Sequence, residues 1–236
     1  MTESMEKAAI ALLMRAVTLD KEGRFTESFS CYTEGTHLLM EAIKGMTDKT
    51  KSDGFRAKAN TYLTRAEQIK AHIAAEKQKG LYTEHFEIHE NATGFSYNTI
   101  LGRFLGVDVV WVHIEDPYIR KHHQCVNLLR LCELFVAKCV QLKEIRLVTS
   151  SSDEEQAKKL SDISKSLKGR GISLDVKYSS TLHDRQIRMS SGWVVKIGRG
   201  LDYFKAPEGQ MSLGYFDLDL RPCMHTSVDI FFNKQQ

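Results

Sequence analysis

The spacing of apolar residues changes character near residue 80, and that change limits the chain to two unlike folding units. Before it, three stripes repeat at intervals of three and four, the period that lines one face of a helix. Met5, Ala9, Leu12, Ala16 and Leu19 form the first, which Lys21-Glu22-Gly23-Arg24 interrupts. The second runs through Phe25, Phe29, Tyr32, Leu39 and Ile43, with Gly35 and Thr36 offering room for a close neighbour. It stops at Lys44-Gly45, where the glycine is expected to adopt a left-handed C-cap. Phe55, Ala59, Tyr62, Ala66, Ile69 and Ile73 make the third and most regular stripe. Three amphipathic helices with short links predict a bundle over residues 1–80, of a size at which the core is marginal but workable.

Past Gly80 the apolar runs shorten and become β-rich: Val107 to Ile114, Leu142 to Thr149, Ile172 to Tyr178, Gly192 to Ile197 and Ser227 to Phe232. Ser96 to Leu105, His122 to Ala137 and Asp153 to Lys168 keep helical spacing between the early ones. The serine run Ser150-Ser151-Ser152 reads as a loop and N-cap before Asp153. Strands and helices alternate to about Tyr178 and strands dominate afterwards, which predicts a mixed sheet covered by helices over residues 82–236. The fold class is therefore an N-terminal α bundle followed by an α/β domain.

Charge excludes little globally, since 33 Lys and Arg nearly balance 30 Asp and Glu, and no nucleic-acid partner is expected from that field. Between Lys177 and Lys205, however, Lys177, Arg185, Arg188, Lys196, Arg199 and Lys205 meet only Asp184 and Asp202, marking a candidate anion site. The cysteines are five, spread out, and contain no C-x-x-C, so neither a disulfide framework nor a zinc site is expected. Cys125, Cys132 and Cys139 recur every seven residues, as small apolar residues on a buried helix face do. No apolar run approaches the ~20 residues that cross a bilayer, and the first residues lack a signal-peptide core, so an intracellular chain with peripheral membrane contact at most is expected.

Two constellations carry chemistry. On the third stripe Leu63 lies about 100° from Tyr62, off the buried face, with Glu67 and Lys70 following at i+4 and i+7. An apolar anchor beside an acid and a base suits an amphipathic peptide helix, because burial supplies affinity and charge pairs set register. A solvated face with one stray leucine has the same pattern. The second constellation joins Trp111-Val112-His113-Ile114-Glu115-Asp116-Pro117-Tyr118-Ile119-Arg120, a buried run ending where α/β folds place ligand contacts, to His183-Asp184-Arg185 and Lys196-Ile197-Gly198-Arg199-Gly200. Cations gathered near one histidine make a phosphate-attracting field, although each of these arginines is as readily explained by a salt bridge within the fold. Gly198-Arg199-Gly200 lacks the Walker lysine spacing.

The runs Ala16-Val17-Thr18-Leu19-Asp20, Gly23 to Ser28, Cys31-Tyr32 and above all Tyr62-Leu63-Thr64-Arg65-Ala66-Glu67-Gln68-Ile69-Lys70 resemble the MIT domain over residues 1 to about 80. The resemblance implies binding of the C-terminal helices of ESCRT-III subunits, the charged multivesicular body proteins, often between the second and third helices. Leu63 and Glu67 match the leucine and acid that take part there. The remainder, through I-E-D-P-Y-I-R, Y-S-S-x-x-H-D-R, G-W-V-V-K-I-G-R-G-L-D-Y-F and G-Y-F-D-L-D-L-R-P-C, resembles the phospholipase-D-like domain found behind MIT modules. Active phospholipases D carry two copies of H-x-K-x-x-x-x-D. On that pattern His183 is the histidine, Arg185 replaces the lysine and Ser190 stands in place of the aspartate. No catalytic residue, metal or cofactor is assigned.

The two modules in this order resemble a family of ESCRT-III-binding adaptors of cytokinetic abscission. The resemblance implies a homodimer through the C-terminal domain and binding of acidic phospholipid, with Arg185, Arg188, Lys196 and Arg199 as candidate contacts. It places the protein in the cytoplasm, peripheral on late endosomes and at the midbody. The alternative is a phosphodiesterase or nuclease whose site forms around His183 across a homodimer.

Overall fold

A computed structural model describes residues 2–151 and 153–233, which form two compact units, Met1–Glu84 and His85–Gln236. The first is built from α1 (Thr2–Lys21), α2 (Phe25–Lys44) and α3 (Lys49–Lys79). Ala9, Ala16, Leu19, Tyr32, Leu39, Ile43, Ala59, Ala66 and Ile69 are buried together, so the three stripes meet. Leu13, rather than Leu12, completes the α1 face: it follows Ala9 by four and precedes Ala16 by three. Gly35 is where it packs, since a Cβ there would lie 3.0 Å from the Leu13 Cγ. The left-handed cap at Gly45 is not formed. That residue has φ −96°, because its amide and that of Met46 turn back to Ala42 and Ile43 in a right-handed sense. The left-handed glycines are instead Gly23 and Gly80. α3 begins six residues ahead of Phe55 because Asp48 caps it, accepting a 3.1 Å bond from the Lys51 amide.

The second unit contains β1 (Thr83–Ile88, which begins at the end of the first), α4 (Tyr97–Leu101), β2 (Trp111–Glu115), α5 (His122–Lys138), β3 (Glu144–Thr149), α6 (Glu154–Lys168), β4 (Ser173–Tyr178), β5 (Gln186–Met189), β6 (Trp193–Ile197) and β7 (Thr226–Phe232). Their order in the sheet is β1-β7-β6-β5-β2-β3-β4. β2, β3 and β4 run parallel through the crossover helices α5 and α6, while β5, β6 and β7 pair antiparallel. Strand β1 escapes the sequence reading because its six residues offer only Phe86 and Ile88 to a core. The apolar run from Val107 becomes strand only at Trp111: Gly106 starts a turn closed by the Val109 amide, and Val107 is exposed. Ser152, expected near the α6 cap, lies outside the described residues, and the capping side chain is Asp153, which accepts from the Gln156 amide at 2.7 Å.

Alternation sorts the sheet into two unlike faces. Val112, Ile114, Ile145, Leu147, Ile187, Met189, Val195, Ile197, Val228 and Ile230 point to one side and share a core with Leu128, Leu131 and Phe135 of α5 and Leu160, Ile163 and Leu167 of α6. The registers put His113, Glu115, Arg146, Asp175, Gln186, Arg188, Lys196 and Asp229 on the other. The helices thus cover one face, and the second is predominantly polar. All five cysteines are free and buried.

Because the bundle core is small, a single cavity weighs heavily. Ile69→Ala, at a position 1% exposed, is expected to cost about 3 kcal/mol. Denaturant unfolding of the full chain followed by helical circular dichroism will show an early transition if the bundle carries its own core.

Candidate functional site

The segment Tyr62–Lys70 divides its side chains between holding the bundle and facing outward. Tyr62 stacks on Tyr32 with ring centroids 5.8 Å apart, and Ala66 and Ile69 are buried. Arg65 crosses to α1, donating from Nε and Nη2 to the two Asp20 oxygens at 2.7 and 2.8 Å. That bidentate bond holds the Asp20 carboxyl below the usual carboxylate range, while burial and the neighbouring carboxylate push the Tyr32 hydroxyl up to about 12. What remains is a ridge. Leu63 is 43% exposed, and Glu67 and Lys70 are exposed with no ion-pair or hydrogen-bond partner among the described residues. Met40 on α2, the helix packed against α3, is a further exposed apolar side chain that the sequence reading passed over. Ile10 and Met14, four apart on α1, are exposed as well.

At the carboxyl end of β2 the chemistry centres on Asp116, which is 1% exposed. Its Oδ1 accepts from the Tyr118 amide at 2.9 Å and its Oδ2 from the Leu201 amide at 2.8 Å. Burial raises its pKa, and the two amide bonds and the field of Arg185 oppose that rise. The turn Gly198-Arg199-Gly200 serves this carboxylate. Gly200 has φ +63°, and a Cβ on it would stand 2.1 Å from the Asp116 Oδ2. The amides of the turn are engaged within the fold, that of Arg199 by the Thr226 hydroxyl at 3.0 Å and that of Leu201 by Asp116. The motif is therefore a structural turn and not a phosphate cradle.

The candidate cations do not converge. Arg185 lies over the exposed Tyr118 ring at 4.5 Å, with Arg120 on the same ring at 5.7 Å. Its Nη1 donates to the Gly198 carbonyl, and its Nε has no partner among the described residues. Arg188 and Lys196 project from the polar sheet face instead. Arg188 stands 3.8 Å from Glu115, and Lys196 is 5.7 Å from the centre of the Phe231 ring. Arg199 donates to the His225 carbonyl at 3.1 Å. At Tyr118 two of the arginines, Arg120 and Arg185, meet one exposed ring, and the Arg185 Nε, without a partner among the described residues, is buried. The signal for this cluster lay in the sequence as the Asp-Pro-Tyr-Ile-Arg stop after β2, but Arg120 is separated from Arg185 by 65 positions, and only strand order brings them to one ring.

His183 is exposed and has no partner among the described residues. Ser190, at the aspartate's place in the phospholipase D pattern, is fully engaged by backbone. Its Oγ accepts from the Val110 amide at 2.8 Å and donates to the Asp108 carbonyl at 3.2 Å. No group of three or more His, Cys, Asp or Glu with metal-holding geometry occurs among the described residues.

A three-helix unit with an outward apolar and charged ridge, followed by a mixed-sheet unit with a cation-flanked aromatic at its strand ends, defines a two-module protein. Two family descriptions match the chain: MIT (microtubule interacting and transport) domain over residues 6–71, and phospholipase D-like domain at the C-terminus of MIT over residues 94–232. The chain belongs to the family in which an MIT domain is followed by a phospholipase D-like domain. It is 47% identical to MIT domain-containing protein 1 of Mus musculus over 98% of this chain and 95% of that protein. It is 34% identical to sorting nexin-15 of Rattus norvegicus over 28% of this chain and 19% of that one. Among solved structures it is similar to the phospholipase D family member Nuc from Salmonella typhimurium, at 9% identity, covering 64% of this chain and 84% of that one with a TM-score of 0.35.

Two outcomes follow from the geometry. Arg65→Ala is expected to cost the bundle about 0.5–1 kcal/mol, modest because the arginine is partly hydrated. Since the Asp20 pKa is lowered on folding, this stabilisation is present above the unfolded carboxylate value and lost as pH falls through the folded one. Melting curves of wild type and variant should converge in acid. Gly200→Ala forces either the left-handed backbone or Asp116 to move, so thermal unfolding should drop by several degrees, about 2 kcal/mol or more.

Proposed function

We propose that the protein is a non-enzymatic adaptor that binds amphipathic C-terminal helices of ESCRT-III subunits through its MIT domain and acidic phospholipid through its phospholipase D-like domain. The observation that carries the first half is the ridge of Leu63, Glu67 and Lys70, whose charges have no partner among the described residues. A peptide helix laying an apolar residue on Leu63 gains burial, and its own basic and acidic residues find Glu67 and Lys70. For the second half, Arg120 and Arg185 flank the exposed Tyr118 ring and place two guanidinium charges where a phosphate group could approach. Attraction of lysine and arginine to an anionic surface is worth roughly 1 kcal/mol per residue and is screened within a Debye length.

Absence of turnover is supported by Ser190, whose hydroxyl is bonded to the backbone of Asp108 and Val110 where a carboxylate would have to stand, and by a single matched histidine. Dimerisation through the phospholipase D-like domain would pair two MIT domains and two lipid contacts, so that weak contacts add by avidity. The proposed setting is cytoplasmic, on late endosomes and at the midbody during abscission.

Leu63→Asp is expected to weaken binding of an ESCRT-III terminal helix at least tenfold, read by fluorescence anisotropy, with helicity unchanged. Full affinity in the variant would sink the ridge assignment. Flotation of the chain with phosphatidylserine vesicles should fall on raising salt and in Arg185→Glu. Lys196→Glu, on the polar sheet face, should have the smaller effect.

A further inference from the structure

A third surface lies apart from both sites. Between Phe204 and Cys223, which form an isolated β-bridge, the chain makes a long excursion, and from Gly209 to Phe216 it carries no charge: Gly-Gln-Met-Ser-Leu-Gly-Tyr-Phe. Met211, Leu213 and Phe216 are 99%, 89% and 81% exposed. Three large apolar side chains so fully hydrated within six residues are unfavourable unless something covers them.

Their exposure does not come from a slack loop. Arg221 is buried, and it donates from Nε to the Gly214 carbonyl at 2.6 Å and from Nη2 to the Tyr215 carbonyl at 2.5 Å. Arg130 of α5 adds a second guanidinium to the Tyr215 carbonyl at 2.9 Å. Gly214 has φ +81° and sits so close to its own base that a Cβ would meet the Leu220 carbonyl at 3.0 Å. The Ser212 amide turns back to Gly209 and the Tyr215 amide to Ser212, while Asp219 ties the return arm to the Ser96 amide and Thr99 hydroxyl, both at 2.9 Å.

We propose that this tip inserts into the interfacial layer of a lipid bilayer; the inference rests on the membrane-binding reading above and adds a contact independent of headgroup charge. Two features favour lipid over a protein partner. Part of the turn's polar backbone is already satisfied from within, the Gly214 and Tyr215 carbonyls by guanidinium groups and the Ser212 and Tyr215 amides by the turn itself, which suits an apolar medium. The apolar side chains project nearly bare and are joined by Tyr215, an aromatic with a polar end suited to the headgroup level. The neighbouring charges also fit a hydrophobic mode: Glu208 and Asp217 flank the tip, and Lys205 is held by Glu90 and Asn91. Electrostatic attraction to acidic lipid therefore belongs to the Arg120–Arg185 cluster, and shallow insertion, about 5–10 Å deep, belongs to the tip.

The test uses the full chain with Leu213→Cys labelled by an environment-sensitive fluorophore, the native cysteines all being buried, and Val140→Cys, also at an exposed position, as the control label. Vesicles of phosphatidylcholine alone, and of phosphatidylcholine with phosphatidylserine, are added at low and high salt. The expected result is a blue shift of the label at 213 with both vesicles, persisting at high salt, and none at 140. Met211→Ser, Leu213→Ser and Phe216→Ser combined should weaken phosphatidylcholine binding about a hundredfold. No shift at 213 while acidic vesicles still bind overturns the insertion and leaves the membrane reading standing. No binding to either vesicle overturns both. A triple variant that loses a dimer, by light scattering, without any lipid-dependent shift in the label overturns the proposal in favour of a contact between copies.

Discussion

Strict alternation along the seven-stranded sheet governs what the larger unit can do. One face is spent on a core with α5 and α6, so the charged residues of β2 to β7 are driven to the other. Arg188 and Lys196, which look like neighbours of Arg185 in sequence, are placed by this rule on the polar sheet face with Glu115, Asp175 and Asp229. Only residues on the connections escape it. Tyr118, Arg120, His183, Arg185 and Arg199 all stand on connections, and of these Tyr118, Arg120 and Arg185 meet at one ring.

Asp116 then fixes how those connections sit. A carboxylate removed from water must be matched, and here two main-chain amides match it, one from its own loop and one from the turn before Leu201. That arrangement explains a glycine pair that resembles a phosphate loop but has no free amides, and it sets Tyr118 under Arg185. In this phospholipase D-like domain the Ser190 hydroxyl is bonded to the Val110 amide and the Asp108 carbonyl.

Three surfaces of different chemistry result: a helix ridge with one leucine between charges, an arginine-flanked tyrosine, and an uncharged apolar tip. Each is small, and each alone would bind weakly. In the proposed adaptor, engaging them together would raise avidity without new chemistry.

The helical unit was largely legible in the sequence, because a period of three and four reports the buried face directly and a residue one step beyond it, such as Leu63, must face outward. The parallel strands β2, β3 and β4 and their crossover helices were legible for the same reason. Left-handed caps, the edge strand β1 and the start of β2 were not, since a glycine's φ and a short strand's pairing depend on neighbours distant in the chain. Composition could show that cations cluster between residues 177 and 205, but not that they separate onto a sheet face, a turn and a strand end. Nor could it show that the Met-Ser-Leu-Gly-Tyr-Phe run is propped outward by Arg221 and Arg130. Sequence determines which residues share an element's face. Which elements face one another, and so which charges meet, is set by strand order and by buried hydrogen bonds that link residues far apart in the chain.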